Sequence, residues 1–213
     1  MIERGPFASG AAACTSAASV KPLGRAARLR LLRATIRRCV RCPALVKCRS
    51  QVVPGHGAAP ARIAFVGLAP GRLGADRTGI PFSGDRSGEL LRRMIACAGL
   101  RRLFITNVVR CNPRDARGRN RNPSAREIAN CSGHLAAELA LVRPRVVVCL
   151  GAVAWRELAR SAAPFRPRSG AVLHSRDALL YPMYHPAYVV RGAYTPSAYA
   201  RDFRRLARLC NRA

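Results

Sequence analysis

The chain has 213 residues, 49% of them apolar and 23% charged, which is enough for one buried core and excludes a wholly disordered protein. Its 38 Lys+Arg face 10 Asp+Glu, a formal net charge of +28, and all the basic residues except Lys21 and Lys47 are arginine; the expected partner is a polyanion, nucleic acid first. The longest apolar run, Val146–Trp155, is too short to span a bilayer, so a membrane protein is excluded and a cytoplasmic location is expected.

Residues 1–24 are rich in Ala, Ser and Gly without a period and are expected to form a disordered tail ahead of one domain, 25–213. Leu29–Arg38 predicts a short basic helix leading into Cys39-Val-Arg-Cys42. Residues 49–61 carry Pro54, Gly55, Gly57 and Pro60 and predict a loop. Arg62–Leu68 (RIAFVGL) predicts a buried strand followed by a glycine-rich loop to Asp85. In Ser87–Leu100, residues Leu90, Leu91, Met94 and Ile95 share one helical face. Leu103–Val109 predicts a second strand, and Arg110–Pro123 a polar, basic loop. Ser124 with Glu127 three residues on is a capping box, so a helix follows to about Leu141. Arg145–Leu150 and Ala178–Met183 predict the third and fourth strands, Ala152–Arg160 and Ser197–Cys210 two further helices. This alternation implies a three-layer α/β/α sandwich around a mostly parallel four-stranded sheet, with ligands bound at the carboxyl ends of the strands.

Three segments sit just after strand ends: Gly67-Leu-Ala-Pro-Gly71, Asn107 to Cys111, and Tyr184-His-Pro-Ala-Tyr188. Together with GLAPGRLGADRTGIPFSGDRSGELL (Gly67–Leu91), FITNVVRCNP (Phe104–Pro113), PSAREIANC (Pro123–Cys131) and YHPAYVVR (Tyr184–Arg191), they resemble the iron–sulfur branches of the uracil-DNA glycosylase superfamily. The stretch ADRTGIPFSGDRSG is nearest the type-b fifth family, and the likeness runs from about Cys39 to Cys210.

The resemblance implies a monofunctional enzyme that flips uracil out of DNA and hydrolyses the N-glycosidic bond, leaving an abasic site. Other deaminated bases such as hypoxanthine are an expected extension. An alternative is a module that binds uracil-containing or single-stranded DNA with little turnover; a basic RNA- or ribosome-associated protein is a third. In the enzyme, Gly67 and Ala69 belong to the base pocket, Phe82 stacks on the base, and Asn107 reads its edge. His185 donates a hydrogen bond to the leaving base at O2. Many relatives carry an acidic or amide side chain near Leu68 and Ala69; here nothing at those positions can polarise water. Asp76 is then the nearest carboxylate for the sugar cation or the attacking water, while Asp85 suits the start of the next helix.

Nine cysteines point to metal or cluster chemistry in a reducing compartment. Cys39-x-x-Cys42 is a metal half-site by spacing, and Cys48 is a rival ligand. The resemblance implies that Cys39, Cys42, Cys111 and Cys131 hold a structural [4Fe–4S] cluster, with Zn²⁺ the alternative. Cys97 and Cys149 are expected in the core, Cys14 and Cys210 to be incidental. DNA phosphates are expected at Arg114, Arg117, Arg119 and Arg121, and at Ser83 and Ser87 before a helix. Tyr188 is the expected wedge into the duplex. A monomer is expected.

Overall fold

The structure is a computed structural model that describes residues 23–160, 164–175 and 177–212. The expected tail lies almost wholly outside these residues. In chain order the elements are α1 (Arg25–Arg37), α2 (Pro43–Cys48), β1 (His56–Gly57), β2 (Ile63–Gly67), α3 (Ala75–Thr78), α4 (Arg86–Cys97) and β3 (Leu103–Asn107). Then follow α5 (Ala125–Val142), β4 (Val146–Leu150), α6 (Ala152–Ala159), β5 (Leu173–His174), β6 (Leu179–Met183), α7 (Pro186–Val190) and α8 (Pro196–Arg212).

One sheet carries the order β1-β3-β2-β4-β6-β5. Its four inner strands are parallel and correspond to the four strands expected from sequence. The sheet has six strands rather than four, because β1 and β5 pair antiparallel at the two edges. Each edge strand is only two residues long, too short for any alternation of side chains to register.

Strand β2 is buried along its whole length, and its side chains alternate between two cores. Ala64 and Val66 join Leu29, Ile36, Phe104, Leu135 and Trp155 on the face covered by α1, α5 and α6. Ile63 and Phe65 join Leu91, Ile95, Tyr199, Phe203 and Leu206 on the face covered by α4 and α8. Three layers result, as the sequence implies. Cys149 is buried in β4, whereas Cys97 is exposed on α4 and Cys210 is buried on α8, the reverse of what was expected for the last two.

Caps set the helix starts. The Ser124–Glu127 capping box is formed in both directions at α5. Asp85 caps α4 by accepting from the Gly88 N–H at 2.8 Å. Strand β3 ends at Asn107, two residues before the expected limit. The chain then keeps bonding to the exit of β2: Val108 N–H donates to Gly67 O and Val109 N–H to Leu68 O. These bonds lock the two loops that carry the site side by side.

Candidate active site

A cavity of about 670 Å³ opens at the carboxyl ends of β2, β3, β4 and β6. This is where a parallel α/β sheet leaves backbone ends and loops free to bind a ligand. Ala69, Phe82, Asn107 and His185 all line it, although they come from four separate chain regions.

Gly67 explains how two of them meet. A Cβ on Gly67 would lie 2.5 Å from Asn107 Oδ1 and 2.6 Å from the tip of the Phe82 ring. Only a hydrogen side chain at this strand end lets the amide and the ring converge. Phe82 itself adopts a left-handed backbone, with φ at 52°. Two bonds from the Arg92 guanidinium, to Phe82 O at 2.8 Å and Pro81 O at 2.9 Å, hold that turn. Gly88 gives the same turn its room, since a Cβ there would strike the Phe82 carbonyl at 2.5 Å.

Asn107 is 2% exposed, and its Oδ1 has no hydrogen-bond partner within the protein. A buried acceptor without a donor is costly unless something else satisfies it. A planar ligand N–H arriving in the cavity would do so.

His185 sits at the start of α7, its ring centroid 5.4 Å from that of Phe82. Its Nδ1 accepts from the Ala187 N–H at 3.1 Å. That bond places the proton of the neutral imidazole on Nε2. Burial, with Arg191 adding to it, pushes the imidazole from its ordinary 6.5 down to about 4. His185 is therefore a neutral donor at physiological pH.

Asp76 is not brought to this wall. Its neighbour Ala75 lines the cavity, whereas the Asp76 carboxylate is fully buried behind it. There it accepts from the Ser50 N–H at 3.1 Å and from Arg114 Nη2 at 2.5 Å. Asp85 is the one carboxylate on the wall among the described residues. Ser87 lines the cavity too, but Ser83 does not; its hydroxyl lies 2.5 Å from that of Thr78 and donates to Ile80 O. Tyr188, 44% exposed at the rim, stacks on Tyr184 at 5.4 Å under the Arg191 guanidinium.

The basic stretch is a loop, as expected, and it closes on itself. Arg114 and Asn120 form an antiparallel bridge, and Asp115 Oδ1 accepts from the Arg117 and Arg119 N–H groups across a turn with Gly118 left-handed. The Asp115-x-x-Gly118 spacing was the signal for that turn. Three of its arginines are committed to carboxylates: Arg114 to Asp76, Arg119 to Asp115, and Arg121 to Glu127 with two bonds of 2.6 and 2.8 Å. Arg117 is exposed and has no carboxylate partner among the described residues. Instead of reaching outward as a whole, this hairpin folds over the cavity. Asn112, Asn120, Arg121 and Asn122 form a wall that the sequence did not reveal. Asn112 is the post: it donates to Pro70 O and Asn120 Oδ1 and accepts from Arg114.

Four cysteines gather beneath the hairpin. Cys111 and Cys131 are buried and Cys39 and Cys42 half-buried. Burial pushes the Cys111 thiol up to about 11, against the Arg49 guanidinium, and the charges of Cys131 and Cys39 also reach it. Each of the four sulfurs accepts an N–H: Cys39 from Arg41, Cys42 from Asn130, Cys111 from Arg49 and Cys131 from the Arg110 backbone. Acceptor sulfurs in a cationic setting are what thiolate ligands require. Cys48 behaves differently, donating its S–H to Leu45 O and Asn112 O. Among the described residues, no three metal-binding side chains converge closely enough to hold a single ion.

Comparison with known proteins agrees with this architecture. The family model described as the uracil DNA glycosylase superfamily matches residues 54–207. The chain belongs to the uracil DNA glycosylase superfamily. A type-5 uracil-DNA glycosylase of Pyrobaculum aerophilum is 36% identical over 79% of this chain and 88% of its own. The type-4 uracil-DNA glycosylase of Archaeoglobus fulgidus is 35% identical over 82% and 89%, and the type-5 uracil-DNA glycosylase of Mycobacterium leprae 32% over 85% and 95%. The superfamily match holds the cavity residues, while Cys39 and Cys42 precede it. No described helix is long and apolar enough to cross a membrane.

Proposed function

We propose that the protein is a monofunctional uracil-DNA glycosylase of base-excision repair, which extrudes uracil from DNA and hydrolyses its N-glycosidic bond. The observation that carries this reading is the meeting of Phe82, the unpartnered Asn107 Oδ1 and neutral His185 around one cavity. An extruded uracil offers a flat face to Phe82, an N3–H to Asn107 Oδ1 and an O4 to the Asn107 amide N–H. Cytosine has the opposite pattern on that edge and leaves the amide mismatched.

Bond cleavage moves negative charge onto the base and positive charge onto the sugar. His185 Nε2–H meets the charge at O2, in a half-buried site where a fixed donor is worth most. Neutral imidazole stabilises the oxyanion without needing to give up its proton. No side chain at Leu68 or Ala69 acts as a base, and none is required where the bond breaks largely before water attacks. Asp85 on the wall faces the developing sugar cation; Asp76 reaches it only if Arg114 is drawn away. A wall free of a carboxylate at positions 68 and 69 also supports release of hypoxanthine. DNA phosphates meet Arg117 and Arg191 at the rim and the N–H groups near Ser87, and Tyr188 fills the gap in the stack.

Cys39, Cys42, Cys111 and Cys131 would hold a [4Fe–4S] cluster, whose contribution is to tie the N-terminal segment to the strand that carries Asn107. The charges of Cys39 and Cys131 reach Cys111, and those of Cys39 and Cys42 reach Cys131; four thiolates so placed suit a [4Fe–4S] cluster, with Zn²⁺ the alternative.

The test is base release from a labelled duplex with one G·U pair, followed by alkaline cleavage of abasic sites. Wild type is expected to give a product band, and His185→Ala to bind the duplex with turnover reduced about 100- to 1,000-fold. Binding without a band in wild type, on uracil and hypoxanthine alike, would replace the enzyme by a binding module.

A further inference from the structure

Arg110 is a long cationic side chain that is only 1% exposed, three residues beyond the base-reading Asn107. A charge buried this deeply needs partners; both Nη atoms have them, while Nε has none within the protein. Its Nη2 donates to Glu138 Oε2 at 2.7 Å, and Glu138 is itself 0% exposed. The remaining capacity of Glu138 is filled by the Gly55 N–H and the Thr106 hydroxyl, each at 2.7 Å.

The other arm of the guanidinium does something more specific. Arg110 Nη1 donates to the backbone carbonyl of Asn107 and, at 3.1 Å, to that of Val108. These carbonyls stand where β3 ends and sheet pairing fails them. Arg110 is itself held at three points. Its carbonyl accepts from the Val53 N–H at 2.8 Å, its N–H meets Cys131 Sγ at 3.4 Å, and Glu138 on α5 fixes its side chain. The clearance on the far side of Asn107 is small, since Gly67 has no room for even a methyl group beside Oδ1. A shift of a few tenths of an ångström in the Asn107 backbone would therefore change where the amide points.

We propose that Arg110, braced by Glu138, is the positioning residue that sets Asn107 for base discrimination. This rests on the reading of Asn107 as the edge-reading amide. The alternative is a buried ion pair that contributes to stability alone.

The experiment measures binding rather than turnover. Duplexes carry 2′-fluoro-deoxyuridine, which resists cleavage, or 2′-fluoro-deoxycytidine at one position. The affinity ratio between them is determined for wild type, Arg110→Lys, Glu138→Gln and Asn107→Ala. Amide hydrogen exchange at residues 107–109 and thermal unfolding are recorded alongside. Glu138→Gln is nearly isosteric and tests the idea even if Arg110→Lys fails to fold. The expected result is a ratio reduced about tenfold in Glu138→Gln, faster exchange at 107–109, and unchanged affinity for undamaged duplex. A folded Glu138→Gln with a lower melting temperature and the wild-type ratio would overturn the proposal. If Asn107→Ala also keeps the ratio, the fault lies instead with the assignment of Asn107 as the reading amide.

Discussion

His185 shows how one backbone contact decides a chemical role. The Ala187 N–H occupies Nδ1, so the ring presents Nε2–H and stays neutral well below the ordinary imidazole range. The rate of base release is therefore expected to show no inflection between about pH 5.5 and 8 that His185→Gln removes. Stability follows the same shift. The unfolded chain binds a proton near 6.5 that the native protein refuses until about 4. The contribution of neutral His185 is thus present above 6.5 and is lost as pH falls from there toward 4. Melting temperature against pH should fall more steeply in that window for wild type than for His185→Gln. Gly67 gives a second prediction at this scale. Gly67→Ala adds one methyl group against Asn107 and Phe82, and both must move. Its product should melt within a few degrees of wild type yet lose at least about tenfold in kcat/KM on a G·U duplex. These residues were legible in the sequence because each stands alone at a strand end, where side chain and role go together. The orphaned Oδ1 of Asn107 and the tautomer of His185 were not, since they depend on contacts made across the chain.

The hairpin between Arg114 and Asn120 is where the sequence was least informative. Arginines read as a phosphate-binding run because composition gives charge and not pairing. Asp76, far away in sequence, neutralises Arg114, and Glu127, in the first turn of α5, neutralises Arg121; both arginines turn inward. Arg117→Ala is therefore expected to reduce the slope of log affinity against log salt by about one, uniformly across DNA sequences. Arg121→Ala should leave that slope nearly unchanged. By freeing the Asn120–Asn122 wall, it should instead raise KM and weaken the preference for uracil over hypoxanthine. Filter binding over a salt series, paired with steady-state kinetics, separates the two outcomes. The long inner strands and α5 were legible for a physical reason as well. Runs buried on both faces and a capping box are local signals, while β1 and β5 exist only because a neighbouring strand pairs with them.

At the scale of the whole molecule, charge is distributed by use. Glu138, Asp76, Asp115, Glu127 and Asp202 are each held in an ion pair, and Asp85 caps a helix. Six of the 10 acidic residues are thus engaged within the fold, and the surface field is left strongly positive. Association with undamaged DNA should be fast at low salt and fall steeply as salt rises, measurable by stopped-flow fluorescence. The cysteine site gives a separate prediction. For the proposed cluster, Cys39→Ser is expected to lower bound iron and sulfide from about four of each per chain and to depress the melting temperature. Cys48→Ser, whose sulfur donates to carbonyls instead of accepting, should retain both.

The spacing of those sulfurs also bears on how the protein is made. They come from three places: the segment ahead of α2, the exit of β3, and the second turn of α5. No stretch of chain ending before Cys131 holds them all, and by then two of the four inner strands, β2 and β3, have been made, while β4 and β6 have not. A ribosome must therefore release α5 before the clasp can close. For the proposed cluster, this puts metal loading after β3 and α5 are made, with the chain beyond α5 not required.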